Sequence, residues 1–220
     1  MTVPGSERNY RQPPQLEVLA QRSISGLRLK LGPHWYRLAP DRYAQAFYAS
    51  RSSRFTPASW EYPCAYLACD PATCFAELYG DQMAQHAIDA PGQPFAIPAS
   101  FARARSLYQI DDAPEVHLCD FTNGDTLVSL GLDLTTIYSL DLSLTQSWAE
   151  LIAQLPGRFD GIRYYSRHTA KFCLVLWNRL KTAPLNEKIE FRQVAPLLDA
   201  PFAFEIAKLL NARLSYPADF

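Results

Sequence analysis

Apolar residues along the chain come in short runs separated by polar, proline-bearing breaks, the pattern of a protein that builds short strands and helices around a core. The clearest unit is Cys64-Ala65-Tyr66-Leu67-Ala68-Cys69, too short for a helix, which runs into Asp70-Pro71-Ala72-Thr73-Cys74-Phe75-Ala76-Glu77-Leu78-Tyr79-Gly80. Asp70 suits an N-cap, Pro71 suits the first helical position where its missing N–H costs nothing, and Gly80 suits the left-handed position after a helix. The spacing predicts a strand, a tight turn and a helix that ends at Gly80. On that helix Pro71, Ala72, Phe75, Leu78 and Tyr79 share one face, with Thr73 and Glu77 opposite.

Residues 1–14 are polar and hold three prolines, which predicts a loosely attached arm. Pro33-His34-Trp35-Tyr36-Arg37-Leu38 reads as a short strand delivering Arg37, and Ser50 to Pro57 as a basic, aperiodic loop. Pro94 to Ile110 predicts a strand pair, and Ser147-Trp148-Ala149-Glu150 has the capping-box spacing that opens a helix ending before Pro156-Gly157. Gly161 to Ser166 and Lys171 to Trp177 are strand-like, the second apolar enough for a central strand. A strand near Ile189 to Val194 and a helix near Phe202 to Ala212 complete the pattern. The fold class expected is α+β, a compact mixed sheet core with flanking helices. One domain is expected, with an arm over 1–30, a body over 31–197 and a C-terminal helix in 198–220 packed on the same body.

Composition narrows the function classes. Lys+Arg 21 against Asp+Glu 22 gives a net charge of −1, which removes the global attraction of a dedicated nucleic-acid or anionic-membrane binder, so any anion site must be local. No apolar run approaches the roughly 18 to 20 residues of a membrane span, and Met1 to Gln15 is too polar for a secretory signal, so the expected compartment is the cytoplasm. The odd number of cysteines, Cys64, Cys69, Cys74, Cys119 and Cys173, has no CxxC pair and argues for reduced, largely core thiols. His34, His86, His117 and His168 have no ligand spacing, and no metal site is expected.

Several polar residues are costly unless something uses them. Arg37 sits in an aromatic strand, where a buried guanidinium needs a carboxylate, a phosphate or several carbonyls. Arg51 and Arg54 flank two serines, a composition able to grip phosphate by guanidinium forks and hydroxyls. Each also has a plain alternative: Arg37 in a structural ion pair, Arg51 solvated, Glu77 exposed on a polar helix face, Ser166 starting a turn. No GxSxG elbow, Walker loop or GxGxxG fingerprint is present.

The arrangement resembles the RES-domain family, named for an arginine, a glutamate and a serine. The resemblance is carried by Trp35-Tyr36-Arg37, by Ser53-Arg54-Phe55, by Ala65-Tyr66-Leu67-Ala68 leading through Asp70-Pro71-Ala72-Thr73 to Glu77, and by Asp160-Gly161-Ile162-Arg163-Tyr164-Tyr165-Ser166-Arg167. It covers about residues 33–180, with Tyr66 eleven residues before Glu77. Where many relatives have Gly-Gly-Arg-Trp-Asn, this chain has Ser52-Ser53-Arg54-Phe55-Thr56, which keeps the arginine but loses the backbone freedom of glycine.

The resemblance implies a fold similar to ADP-ribosyltransferases and diphtheria-type toxin domains, acting on NAD+ as substrate with no prosthetic group. It further implies inorganic phosphate or water as acceptor, and an antitoxin protein as partner. Transfer of ADP-ribose to a protein, and a non-catalytic binding domain, are the competing readings. By this similarity Arg37 and Arg54 would hold the pyrophosphate or acceptor phosphate, Tyr36 and Tyr66 would contact the substrate, Glu77 would serve the reacting ribose and Ser166 would complete the pocket. No membrane or direct nucleic-acid partner is expected, and a homo-oligomer is left open. The chemistry suits these residue types. Expelling nicotinamide builds oxocarbenium character at the sugar carbon, and a carboxylate facing that charge stabilises the transition state more than the ground state.

Overall fold

The computed structural model describes residues 10–48, 53–59, 61–155, 158–178, 185–209 and 213–217. The chain runs α1 (Leu16–Ala20), β1 (Gly26–Lys30), β2 (Tyr36–Pro40), β3 (Cys64–Ala68), α2 (Pro71–Asp89), β4 (Pro94–Ala96), α3 (Ala99–Arg103) and β5 (Arg105–Asp112). It continues through β6 (Glu115–Asp120), α4 (Gly124–Leu130), α5 (Leu134–Ile137), α6 (Leu142–Gln154), β7 (Gly161–Tyr165), β8 (Phe172–Trp177), β9 (Glu190–Pro196), α7 (Phe202–Leu209) and β10 (Arg213–Ser215). The class is α+β, as the pattern of short runs implied.

The main sheet has the order β1-β6-β7-β8-β3-β2-β5-β9 and is antiparallel except where β6 and β7 run parallel, a crossover made through α4, α5 and α6. β8 sits at the centre for the reason its composition suggested: both of its faces are covered. Cys173, Val175 and Trp177 join one core with Phe55, Trp148 and Ile152, and Leu174 and Leu176 join another with Trp35, Ile110 and Phe191. A third core lies between α2 and α7, where Phe75 and Met83 meet Ala203 and Ile206.

One irregularity shapes everything that follows. β2 and β3 are neighbours in the sheet, yet they share a single register pair, Tyr36↔Ala68. β3 is fully paired to β8 and β2 to β5, so the sheet parts between its two halves.

Local expectations fail where tertiary contacts outrank them. α2 continues past Gly80 to Asp89, Leu78 is 41% exposed, and Thr73 on the supposedly polar face is fully buried. Asp141 rather than Ser147 caps α6, its carboxylate accepting from the amides of Ser143 and Leu144, and Ser147 only donates back to the Ser143 carbonyl at 2.7 Å. Instead of a strand pair, 94–110 forms β4, α3 and the start of β5. The expected C-terminal helix is described over Phe202–Leu209, where it packs on α2; residues 210–212 lie outside the described residues, and β10 pairs in parallel with β4.

The stretch expected to be an arm contains β1, an edge strand of the main sheet, and Leu19, which is fully buried. Arg11 is clamped in the same region, its amide donating to Thr136 Oγ1 at 3.1 Å and its carbonyl accepting from Trp148 Nε1 at 2.8 Å. Residues 1–9, Arg51, Ser52, Pro156 and Gly157 lie outside the described residues.

Candidate active site

The parting of β2 from β3 opens a cleft of about 450 Å³. Leu38 of β2 and Tyr66, Leu67 and Ala68 of β3 form part of its wall, and Tyr48, Arg54, Glu77 and Tyr164 complete its inner part. Glu77 arrives there because the turn after β3 is held tightly. The Asp70 carboxylate accepts from Thr73 N at 2.9 Å and Thr73 Oγ1 at 3.0 Å, and Lys171 Nζ lies 3.1 Å from it. Two helical turns on from Asp70, the side chain of Glu77 points at the sheet.

Glu77 is held from two sides. The Tyr164 hydroxyl donates to Glu77 Oε2 at 3.1 Å, and Arg54 Nη2 stands 3.5 Å from the same oxygen. Burial, with the negative charge of Glu77 next in importance, pushes the Tyr164 phenol well above its ordinary value, so it stays protonated and remains a donor. The Arg54 guanidinium also lies over two rings, Phe55 at 5.2 Å and Tyr164 at 5.3 Å, contacts that hold a cation without removing its charge.

The segment carrying Arg54 has no glycine, and it is positioned by side chains instead. Tyr66 OH accepts from Phe55 N at 3.2 Å and lies 3.1 Å from Thr56 Oγ1. Gln146 Nε2 donates to the Ser53 carbonyl at 2.9 Å, and Trp177 Nε1 donates to that of Phe55 at 3.2 Å. Tyr66 is half-buried, and burial raises the pKa of its phenol strongly. Tyr66 therefore does two jobs, forming cleft wall with its ring and tying down the arginine segment with its hydroxyl.

The sequence profile of the RES domain matches residues 28–201. The chain belongs to the RES domain family. A chain in the crystal structure of the M. tuberculosis MbcT–MbcA toxin–antitoxin complex is similar to the RES chain, with a TM-score of 0.55 at 19% sequence identity, over 83% of this chain and 91% of that one. That likeness is one of fold. No curated protein sequence matches significantly.

Of the six site residues expected in the RES chain, the cleft brings together Arg54, Tyr66 and Glu77. Arg37 stands apart from them. Strand alternation turns it to the face opposite Leu38, and its guanidinium packs 5.4 Å from the rings of Tyr48 and Phe191. Only Tyr48 of these reaches the cleft wall. Arg37 is 2% exposed, and its two terminal nitrogens have no hydrogen-bond partner among the described residues. Burial lowers its pKa, opposed chiefly by Tyr48.

Ser166 is buried in the link between β7 and β8, where its Oγ accepts from His168 N at 3.2 Å and Thr169 N at 3.4 Å. It organises the turn, and the next two residues, Arg167 and His168, form the cleft wall. Tyr36 lies outside the wall, its hydroxyl accepting from Gln109 Nε2 at 3.2 Å.

Residues not singled out from sequence complete the site: Tyr48, Tyr164, and a rim of Asp81, Gln82, Arg167 and His168. Asp81 had a readable signal, since it follows Glu77 by four residues and so shares its helix face. Gln82 follows it on the same helix, and Tyr48, Tyr164, Arg167 and His168 reach the cleft only through long-range pairing. Among the described residues no group of three or more His, Cys, Asp or Glu could hold a metal ion, and no helix is long and apolar enough to cross a membrane. The cysteines are free.

Proposed function

We propose that the RES chain cleaves the bond between nicotinamide and ribose in NAD+, with inorganic phosphate or water taking up the ADP-ribosyl group. The observation that carries this reading is the carboxylate of Glu77, held by Tyr164 and Arg54 on the wall of an open cleft. In the reaction the carbon–nitrogen bond breaks heterolytically and nicotinamide leaves as a neutral molecule with the electron pair. The ribosyl carbon passes through an oxocarbenium-like state, to which a phosphate oxygen adds to give ADP-ribose 1″-phosphate. Water instead gives ADP-ribose and a proton.

Glu77 hydrogen-bonds a ribose hydroxyl and faces the developing positive charge. Tyr164 orients that carboxylate, and Tyr66 forms the wall on the nicotinamide side. Arg54 compensates Glu77 in the free protein and turns to substrate phosphate on binding, through charge-assisted bonds worth about 1.5–3 kcal/mol each. The unpartnered nitrogens of Arg37 favour an anion next to Tyr48, at the parting of the sheet. The fold-level likeness to a chain of a toxin–antitoxin complex supports a protein antitoxin as the partner that restrains this activity in the cytoplasm.

The test is incubation of the purified chain with NAD+, with and without phosphate, followed by mass spectrometry. Nicotinamide release with ADP-ribose 1″-phosphate appearing only when phosphate is present supports phosphorolysis, and ADP-ribose alone supports hydrolysis. Glu77→Gln should slow release by about 10² to 10⁴. No release from folded wild-type protein would remove the enzyme reading.

A further inference from the structure

The outer half of the cleft holds charged groups that the cleavage chemistry leaves unused. Arg167 and His168, from the link between β7 and β8, both reach the carboxylate of Asp81 on α2. Arg167 Nη2 donates to Asp81 Oδ2, and His168 Nε2 lies 3.2 Å from Asp81 Oδ1. All three line the cleft.

The two sides of this cluster are unequally held. Asp81 is 59% exposed, whereas the side chains of Arg167 and His168 are 21% and 13% exposed. Arg167 Nε is fully enclosed with no hydrogen-bond partner among the described residues, so the guanidinium has a donor that Asp81 leaves unmet. The imidazole is fixed by packing, because it occupies the space where a Cβ at Gly80 would stand. Two donors are thus rigidly placed, and the carboxylate between them is a solvent-exposed group on a helix surface. Because Asp81 faces solvent, its hold on the two donors is open to exchange for a better anion.

Spacing indicates which anion. Asp81 follows Glu77 by four residues, a rise of about 6 Å along α2. That is of the order of the distance across a ribose from its anomeric carbon to its 5′-phosphate. A phosphate also offers more charge and more acceptor oxygens to a guanidinium fork than a carboxylate does.

We propose that Arg167 and His168 form a phosphate seat at the mouth of the cleft, which Asp81 occupies in the free protein, so that Asp81 sets the affinity for a phosphate-bearing substrate by competing with it. The identity of that substrate rests on the NAD+ reading above; the seat itself does not. Arg54 and Glu77 line the same cleft, and Gln82 is the neutral neighbour of Asp81.

The experiment is a calorimetric titration of the full chain with inorganic diphosphate. Asp81→Asn should tighten binding about fivefold or more, Arg167→Ala should weaken it about tenfold or more, and Arg167→Lys should fall between wild type and Arg167→Ala because lysine keeps the charge without the fork. A gain of affinity in Asp81→Asn is a result that misfolding cannot produce. With NAD+ as substrate, Asp81→Asn should lower KM and Arg167→Ala should raise it, with kcat changed less than about threefold in both. A shift confined to the dependence on free phosphate, with KM for NAD+ unchanged, would assign the same seat to the acceptor. Diphosphate affinity unchanged in both Asp81→Asn and Arg167→Ala would overturn the proposal even if NAD+ is cleaved. The expected affinity changes without nicotinamide release would keep the seat and remove the NAD+ reading.

Discussion

Gly80 packs against the imidazole of His168 so closely that a Cβ at position 80 would stand 2.7 Å from the ring atoms Cγ and Cδ2. This contact explains a glycine in the middle of a nineteen-residue helix, where it costs roughly 0.5–1 kcal/mol relative to alanine. The ring is mostly buried, its side chain 13% exposed, so it has little room to yield. Gly80→Ala should therefore destabilise the chain by about 1–2 kcal/mol despite its better helix propensity, lowering Tm by several degrees at about 2–4 °C per kcal/mol. Calorimetry checks this; a raised Tm would show that His168 moves freely.

Tyr164→Phe removes one hydroxyl and keeps the tilted ring contact with Phe55. Among the described residues it leaves Glu77 with Arg54 as its remaining close polar partner, so the carboxylate loses orientation but keeps its charge. We expect NAD+ cleavage to fall by about 3- to 10-fold, the range for one net hydrogen bond of roughly 1 kcal/mol, well short of the loss in Glu77→Gln. Rates for the two variants, measured side by side, separate orientation from charge.

For Ser166 the geometry favours a structural hydroxyl over a nucleophile. Ser166→Ala strips an acceptor from the amides of His168 and Thr169, which should cost about 1–3 kcal/mol and loosen the link that carries Arg167. The expected kinetic signature is a raised KM with little change in kcat. Intact-mass analysis during turnover should find no adduct on Ser166, and an ADP-ribosyl adduct there would reverse the assignment.

Acid stability should depend on Asp120. Burial alone would raise its carboxyl, but hydrogen bonds from Arg163 and Thr122 outweigh burial and hold it below its ordinary value of 3.8. Arg163 donates through Nε at 3.0 Å and Nη2 at 2.6 Å, a two-pronged contact across the parallel strands β6 and β7. A depressed folded pKa contributes stability that is present above the unfolded value and is lost as pH falls through the folded one. Unfolding midpoints should decline below about pH 4, and Asp120→Asn should lower stability at pH 7 while flattening that decline.

Arg37→Ala tests the unpartnered guanidinium. In the free protein it removes a buried charge whose terminal nitrogens make no hydrogen bond among the described residues, so the loss of stability should be modest, about 1–2 kcal/mol of packing between Tyr48 and Phe191. If a ligand anion completes this residue, NAD+ binding by the folded variant should weaken by at least about tenfold. Unchanged binding would make Arg37 a structural residue.

The sequence alone determined the features that depend on neighbours in the chain. Asp70, Pro71 and the short run before them specify the β3 turn and the start of α2, because capping and proline geometry act within one helical turn. The unbroken apolar run from Phe172 to Trp177 specifies a central strand, because such a strand is buried on both faces. Arg54, Tyr66 and Glu77 were legible through family spacing, and they do meet in the cleft.

Only the tertiary structure decided the rest. Gly80 carries the local signature of a helix end, yet α2 continues, because the helix gains more from packing against α7 and seating His168 than it would from stopping there. Arg37 and Leu38 are adjacent in sequence, but alternation along β2 and the separation from β3 put one behind Tyr48 and the other on the cleft wall. Tyr164, Arg167 and Asp81 become a site only when β7, its link to β8 and α2 are brought together from positions more than eighty residues apart, as the 87- and 86-residue separations of their contacts record. Caps and alternation are local energies that act along a few residues, whereas a cleft exists only where strands from distant parts of the chain fail to pair, and no local signal encodes that failure.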